Sequence, residues 1–297
     1  MTDHTPRIFI FGIGYSAHRL AQRLLAAGWQ VAGTARTAEK VEALRAEGID
    51  AQVFDRDRPL ADADAALARA THLLSSVPPD KAGDHDAVLD QHGDTIARAA
   101  DRLDWAGYLS TTGVYGDRDG GWVDETSALR PTSERSERRA HAEGRWRALY
   151  ADHGVPVHVF RLAGIYGPGR GPIESVRRGT ARRIHKPGHV FSRIHADDIV
   201  RVLEASIARP NPGAVYNVCD DEPAAPQDVT AYACELLGVN PPPLQDFDTA
   251  EMSEMARTFW RDNKRVANAR IHDELGVELA YPTYREGLRA LVAENAA

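Results

Sequence analysis

Short apolar runs alternate along much of the chain with longer stretches whose apolar positions recur every third or fourth residue. The runs at 7–12, 30–35, 51–55, 72–77, 106–111 and 156–161 are rich in Val, Ile and Phe with turn-forming flanks, which predicts strands. The stretches at 17–27, 38–46, 84–103 and 134–150 have helical spacing and composition. Strand–helix alternation of this length builds parallel crossover units and predicts an α/β fold with a doubly wound parallel sheet. After Arg161 the pattern becomes irregular and rich in Gly, Pro and Arg up to about 194. A helix (197–208) and a strand (214–218) follow, and 240–248 reads as a loop before a small helical cap. No linker separates two self-contained halves, so the cap is expected to interleave with the sheet.

The turn after the first strand carries Gly12-x-Gly14-x-x-Ala17 and opens a helix. Glycines there allow a tight turn and a close backbone approach to a pyrophosphate, which the amides of the helix N-terminus attract. This predicts a Rossmann-type dinucleotide site with Gly12, Gly14, Tyr15, Ser16 and Ala17 against the cofactor. An NAD site usually ends its second strand with Asp or Glu, whereas this chain has Arg36 and no acid before Glu39. A guanidinium pairs bidentately with a 2′-phosphate, so NADP is expected over NAD, with Thr34, Thr37 and Lys40 as supporting candidates. Asp55, ending the third strand, is a candidate acceptor for the adenine amino group. Ser75 and Ser76, ending the fourth, are expected beneath the cofactor. The expected boundaries are 1–162 with 193–220 for the NADP-binding domain and 163–192 with 221–297 for a small substrate-binding cap.

Composition narrows the partners. The 297 residues are 43% hydrophobic and 27% charged, ordinary for a soluble globular protein. A net charge of −7 argues against nucleic acid and anionic membrane surfaces as partners. Cys219 and Cys234 form neither a disulfide framework nor a metal set, which fits a reducing compartment, and no metal is expected. The first residues lack a basic segment leading into a long apolar run, and no run reaches membrane-spanning length. A cytoplasmic protein with a small-molecule substrate is therefore expected, and a homodimer is compatible with the sequence.

Five further segments resemble the extended short-chain dehydrogenases/reductases, which include nucleotide-sugar epimerases and dehydratases. They are YLSTTGVYG (108–116), VDETSALRPTS (123–133), FRLAGIYGPGR (160–170), RIHADDIV (193–200) and YNVCDDEP (216–223), in the family's order. The resemblance implies catalysis by a Ser/Thr, a tyrosine and a lysine four residues after it. Thr111 takes the Ser/Thr position, and the pair falls on Arg135 and Arg139. The chain has only four lysines, and none follows any of its nine tyrosines by four residues. The dyad is therefore absent in any register. Arginine cannot replace the tyrosine, since it stays protonated and only donates, but it can bind anions. Arg135 and Arg139 are candidates for that role, or members of a charge-laced solvated helix face.

Tyr115 and Tyr166 are the candidate relocated proton donors, with His141 and His195 behind them. Asp197 and Asp198 are expected to cap a helix. The tail at 257–288 is similar to the atypical short-chain dehydrogenases of the NAD(P)-dependent epimerase/dehydratase-like kind, which lack the tyrosine. The stretch 167–193 carries Arg170, Arg177, Arg178, Arg182, Arg183, His185, Lys186 and Arg193, which suits an anionic substrate if it lines the site. Tyr166 and Arg170 are taken as substrate contacts. The expected function is an NADP-dependent oxidoreductase or epimerase of a small polar, anionic or sugar-like carbonyl or hydroxyl compound. The alternative is a non-catalytic NADP(H)-binding sensor or scaffold.

Overall fold

A computed structural model describes residues 5–294; the outermost residues of the expected domain limits and of the N-terminal reading lie outside the described residues. In chain order, β1 (Arg7–Phe11), α1 (Tyr15–Ala26), β2 (Gln30–Ala35), α2 (Ala38–Ala46) and β3 (Asp50–Val53) come first. Next are α3 (Ala63–Leu67), β4 (His72–Ser75), α4 (Ala87–Arg98), β5 (Trp105–Thr111), β6 (Trp122–Val123), α5 (Glu134–His153) and β7 (Val157–Leu162). Then follow β8 (Gly164–Tyr166), α6 (Pro172–Arg177), β9 (Arg183–His185), β10 (Arg193–His195), α7 (Ala196–Ala208) and β11 (Val215–Val218). The chain closes with α8 (Pro226–Leu236), β12 (Leu244–Asp246), α9 (Glu254–Phe259), β13 (Arg265–Val266), α10 (Ala269–Asp273) and α11 (Tyr284–Glu294).

Seven strands form one parallel sheet in the order β3-β2-β1-β4-β5-β7-β11. The order reverses between β1 and β4, and such a switch point opens a crevice at the strands' carboxyl ends. Gly33 lets β2 lie close to β1, since a Cβ there would sit 2.3 Å from the Ile10 carbonyl oxygen. The core against the sheet is built from Phe9, Phe11, Phe54, Leu73, Tyr108 and Trp146, among others. Each such side chain contributes about 1.5–3 kcal/mol of burial. The helix expected at 84–103 starts later because Asp86 stops it, its carboxylate accepting the Val88 and Leu89 amides. The Trp146 indole also donates to Asp86, which ties α5 to that cap.

The chain divides into two compact units. The first holds residues up to Thr111, Glu137–Arg161 and Leu203–Tyr216; the second holds Thr112–Ser136, Leu162–Val202 and the chain from Asn217 onward. The sequence reading placed 112–136 and 193–202 with the nucleotide domain, and both group with the second unit. The reason is local pairing: β6 pairs with β13 and β8 with β10, short parallel contacts that periodicity does not reveal. The segment 240–248, read as a loop, likewise contains β12, which pairs with β9. The second unit has its own core of Tyr166, Ile173, Val229, Ala233, Tyr284 and Leu288, among others.

Candidate functional site

In the first unit, the carboxyl ends of β1, β2 and β4 meet around the glycine turn. Gly12 has a φ of +80°, the left-handed region that glycine adopts without strain, and a Cβ there would meet Val77 at 2.9 Å. The turn is held from two sides. The Thr34 hydroxyl accepts the Gly12 amide at 2.9 Å, and the Ser76 hydroxyl donates to the Gly12 carbonyl at 2.5 Å. Thr34, expected near a 2′-phosphate, is thus a support of the turn. Gly14 faces open space, with nothing within 4 Å of a Cβ built on it. No side chain caps α1 and no acid stands in its first turn, so a phosphate meets neither obstruction nor like charge there. Ser16 and Ala17 are buried on the inner face of α1, and Tyr15 is half-buried beneath the Arg19 guanidinium. Ser75 is fully buried, and its hydroxyl has no hydrogen-bond partner among the described residues. These residues fit a dinucleotide.

Arg36 is exposed at the end of β2, and the Arg58 guanidinium donates to its carbonyl at 2.7 Å. Arg58 escaped the sequence reading because it lies beyond β3, outside the motif. Asp55, the expected adenine acceptor, is engaged within its own loop. Its carboxylate accepts the Asp57 and Arg58 amides and pairs with the Arg58 guanidinium, closing a turn. That ion pair holds the Asp55 carboxyl below its ordinary range. Thr37 caps α2 by accepting the Lys40 amide at 3.3 Å.

Thr111 ends β5, half-buried. Arg139, on α5, does not face only water: its guanidinium donates to the Leu109 carbonyl at 2.9 Å and lies over the Tyr108 ring. One turn further, Glu143 and Arg161 form an ion pair at 2.5 Å with side chains only 1% and 3% exposed. The Ser110 hydroxyl donates to the same carboxylate at 2.9 Å, so α5, β5 and β7 are joined beside the strand end that presents Thr111. His141, also on α5, is exposed and contacts Asp84 at 3.0 Å.

In the second unit, the two candidate proton donors are closed off. Tyr115 is 0% exposed and donates to the Asn217 side-chain oxygen at 2.7 Å. Tyr166 is 2% exposed inside the unit's core, and burial raises its hydroxyl well above the ordinary tyrosine value. Neither is placed as a proton relay open to solvent, and Tyr166 is not a surface substrate contact. Tyr115→Phe is expected to cost about 1 kcal/mol in chemical denaturation, as the loss of one hydrogen bond, and to leave NADPH binding unchanged. A loss of NADPH affinity would show that the Tyr115 hydroxyl contributes to cofactor binding.

His195 is fully buried, its ring packed on Tyr281 at 4.1 Å. Asp198 is no helix cap: its buried carboxylate accepts the Ala280 and Tyr281 amides at 2.7 and 3.0 Å. Arg135 is exposed, with its guanidinium over the Phe259 ring, and Arg170 is exposed. The basic stretch 167–193 does not form one anion-facing surface. Arg177 and Arg178 pair with Glu174, Arg182 reaches Gln245, and Arg193 donates to the Phe191 and Ala224 carbonyls. Among the described residues, no group of His, Cys, Asp and Glu is arranged to hold a metal ion, and no helix is long and apolar enough to cross a membrane.

Residues 8–219 match the family model of the NAD dependent epimerase/dehydratase family. The chain belongs to this family. It is 31% identical to protein YeeZ of Escherichia coli (strain K12) over 284 residues, 93% of this chain and 96% of that one. Its fold is similar to that of a conserved protein of unknown function from Silicibacter pomeroyi, with 53% identity, a TM-score of 0.90 and coverage of 98% and 99% of the two chains. The dTDP-glucose 4,6-dehydratase of Bacillus anthracis, solved in complex with NAD, shares the fold at 16% identity and a TM-score of 0.77, over 97% and 96% of the chains.

Within this NAD dependent epimerase/dehydratase family member, sequence reasoning missed three features besides Arg58. The Glu143–Arg161 pair had a visible signal: Glu143 interrupts the apolar stripe of Ala142, Trp146 and Leu149, and Arg161 sits in an otherwise apolar strand. The Asp198 clamp had none. The third is a cluster around Lys264, whose ammonium lies 3.3 Å from Asp262 with both side chains largely buried.

Proposed function

We propose that the protein is an NADP-dependent oxidoreductase or epimerase acting on a small polar, anionic or sugar-like carbonyl or hydroxyl compound. The observation that carries the choice of dinucleotide is Arg36, exposed at the end of β2 where an NAD site would present a carboxylate. Support for the reaction class comes from family membership and from the uncapped α1 behind the glycine turn. A bound nicotinamide dinucleotide supplies hydride transfer. The chain's part is to bind and orient: the N-terminus of α1 takes the pyrophosphate, Arg36 pairs with the 2′-phosphate, and the Thr111 hydroxyl holds the substrate oxygen. In the second unit, Arg135 and Arg170 are the proposed contacts for the anionic part of the substrate. A cytoplasmic location and a homodimer belong to the same proposal.

Titration with NADPH and NADH tests the cofactor reading. The wild type is expected to bind NADPH more tightly. Arg36→Ala should weaken NADPH about 10- to 100-fold, the worth of one charge-assisted contact, with NADH unchanged. Tighter binding of NADH by the wild type would defeat the reading. A panel of carbonyl and sugar compounds, with oxidation of NADPH followed by absorbance, then tests turnover. The burial of Tyr115 and Tyr166 favours one other reading, a non-catalytic NADP(H)-binding sensor. Tight NADPH binding without turnover across the panel would select it.

A further inference from the structure

Two of the four lysines of this chain come together in the second unit. Lys264 precedes β13, and Lys186 follows β9. The Lys264 ammonium reaches Asp262 at 3.3 Å, and Asp262 also accepts the Thr132 hydroxyl at 2.5 Å. The Lys186 ammonium donates to the Trp260 carbonyl at 2.5 Å. The Lys186 ammonium also lies over the Phe247 ring at 4.9 Å, and each ammonium carries three donors. Both ammoniums act electrostatically on His189.

His189 is 1% exposed, and neither of its ring nitrogens has a hydrogen-bond partner among the described residues. The ring is held by stacking on Trp260 at 5.0 Å and by an edge contact with Phe191. Its loop is fixed by Asn263, which accepts the Val190 amide and donates to the Gly188 carbonyl. An imidazole so placed, with both nitrogens unmet, carries an uncompensated desolvation cost unless something answers it. Burial and the two lysines push His189 down to about 4, so it is neutral near pH 7 and offers one donor and one acceptor. Burial also lowers Lys264 from the ordinary lysine value. The local charge is positive: Lys264, Lys186 and Arg118 stand against Asp117 and Asp262. Asp117 is already engaged, accepting the Asn263 amide at 2.7 Å.

Ammonium groups are matched by acceptor oxygens, the local charge favours an anion, and a neutral imidazole is best met by a hydroxyl. We propose that Lys264, Lys186 and His189 form a binding site for a small ligand carrying an anionic oxygen beside hydroxyl groups. A sugar acid and a sugar phosphate share this chemistry. The site is separate from Arg135 and Arg170 and lies within the second unit, and it rests on the proposed function only for the sugar-like character of its ligand. Its binding chemistry stands without the cofactor.

The test uses the full-length chain, labelled with ¹³C at the lysine side chains, and glucuronate and glucose 6-phosphate as probes. Glucose and inorganic phosphate serve as comparison compounds. Four lysines give four sets of signals, assigned by single substitution. The expected result is saturable movement of the Lys264 and Lys186 signals with one of the two probes, while Lys40 and Lys81 stay still. Glucuronate alone would identify a carboxylate site and glucose 6-phosphate alone a phosphate site. Lys264→Met and His189→Phe should each weaken calorimetric binding of that probe about 10- to 100-fold. Should either variant fold poorly, the wild-type lysine signals decide the matter alone. No response to either probe, equal response to inorganic phosphate, or movement confined to Lys40 and Lys81 would overturn the proposal. NADPH titration of the same samples keeps the two readings apart: cofactor binding without probe binding rejects this site and leaves the proposed function standing.

Discussion

Arg161→Met is expected to destabilise the protein by about 3–5 kcal/mol, the cost of leaving one member of a buried ion pair without its partner. Among the described residues, Glu143 would keep the Ser110 hydroxyl alone, in a place where its side chain is 1% exposed. At about 2–4 °C per kcal/mol for a chain of this size, the melting midpoint should fall by about 10 °C or more. The double variant Glu143→Gln with Arg161→Met should recover much of that loss, because no buried charge is then stranded. A single variant melting within a degree or two of the wild type would show that water reaches this carboxylate. The pair joins α5 and β7 to β5, the strand that ends in Thr111. A partial loss should therefore also lower any turnover that depends on Thr111, while cofactor binding at the β1–α1 turn persists.

Asp220→Asn is expected to stabilise the protein, by an amount that grows with pH. Asp220 follows β11 in the second unit and is 1% exposed. Burial pushes its carboxyl up to about 8, from the ordinary 3.8, and the Arg193 guanidinium counters this only in part. The folded chain therefore holds this proton over a range where the unfolded chain has released it. The contribution of the protonated carboxyl is fully present below about pH 4 and is lost as pH rises through about 8. At about 1.4 kcal/mol for each pH unit between the two values, the loss amounts to a few kcal/mol. Asparagine cannot ionise, so the advantage of the variant should grow from about pH 4 to about pH 8 and then level off. Denaturation midpoints of both proteins across that range provide the measurement. Parallel curves would mean that Asp220 is ionised throughout and better solvated than its burial indicates.

The legible parts of this protein are those that a local pattern writes into the chain. Alternating apolar runs placed β1, β2, β4, β5 and β7 within a residue or two, because each buried strand must present consecutive apolar side chains. The glycine turn was readable since Gly12 needs a positive φ and Gly14 needs open space, both properties of one residue type. Misreadings arose where a short polar contact outweighed the pattern. Asp86 shortened α4, Asp55 turned to Arg58, and Thr34 turned to the Gly12 amide. Irregular composition after Arg161 concealed β8, β9 and β10, each only three residues long and too short for periodicity.

The sequence alone determined the fold class, the position of the glycine turn and the absence of a Tyr-x-x-x-Lys pair, since none of these depends on a distant partner. Tertiary structure decided what the polar residues do. Tyr115 and Asn217 are 102 residues apart, Thr132 and Asp262 are 130 apart, and Glu143 meets Arg161 across 18. A hydrogen bond or ion pair forms only over a few ångströms, so its partners are set by how the elements pack. That packing made Tyr115 a buried donor and left the nitrogens of His189 without a partner among the described residues.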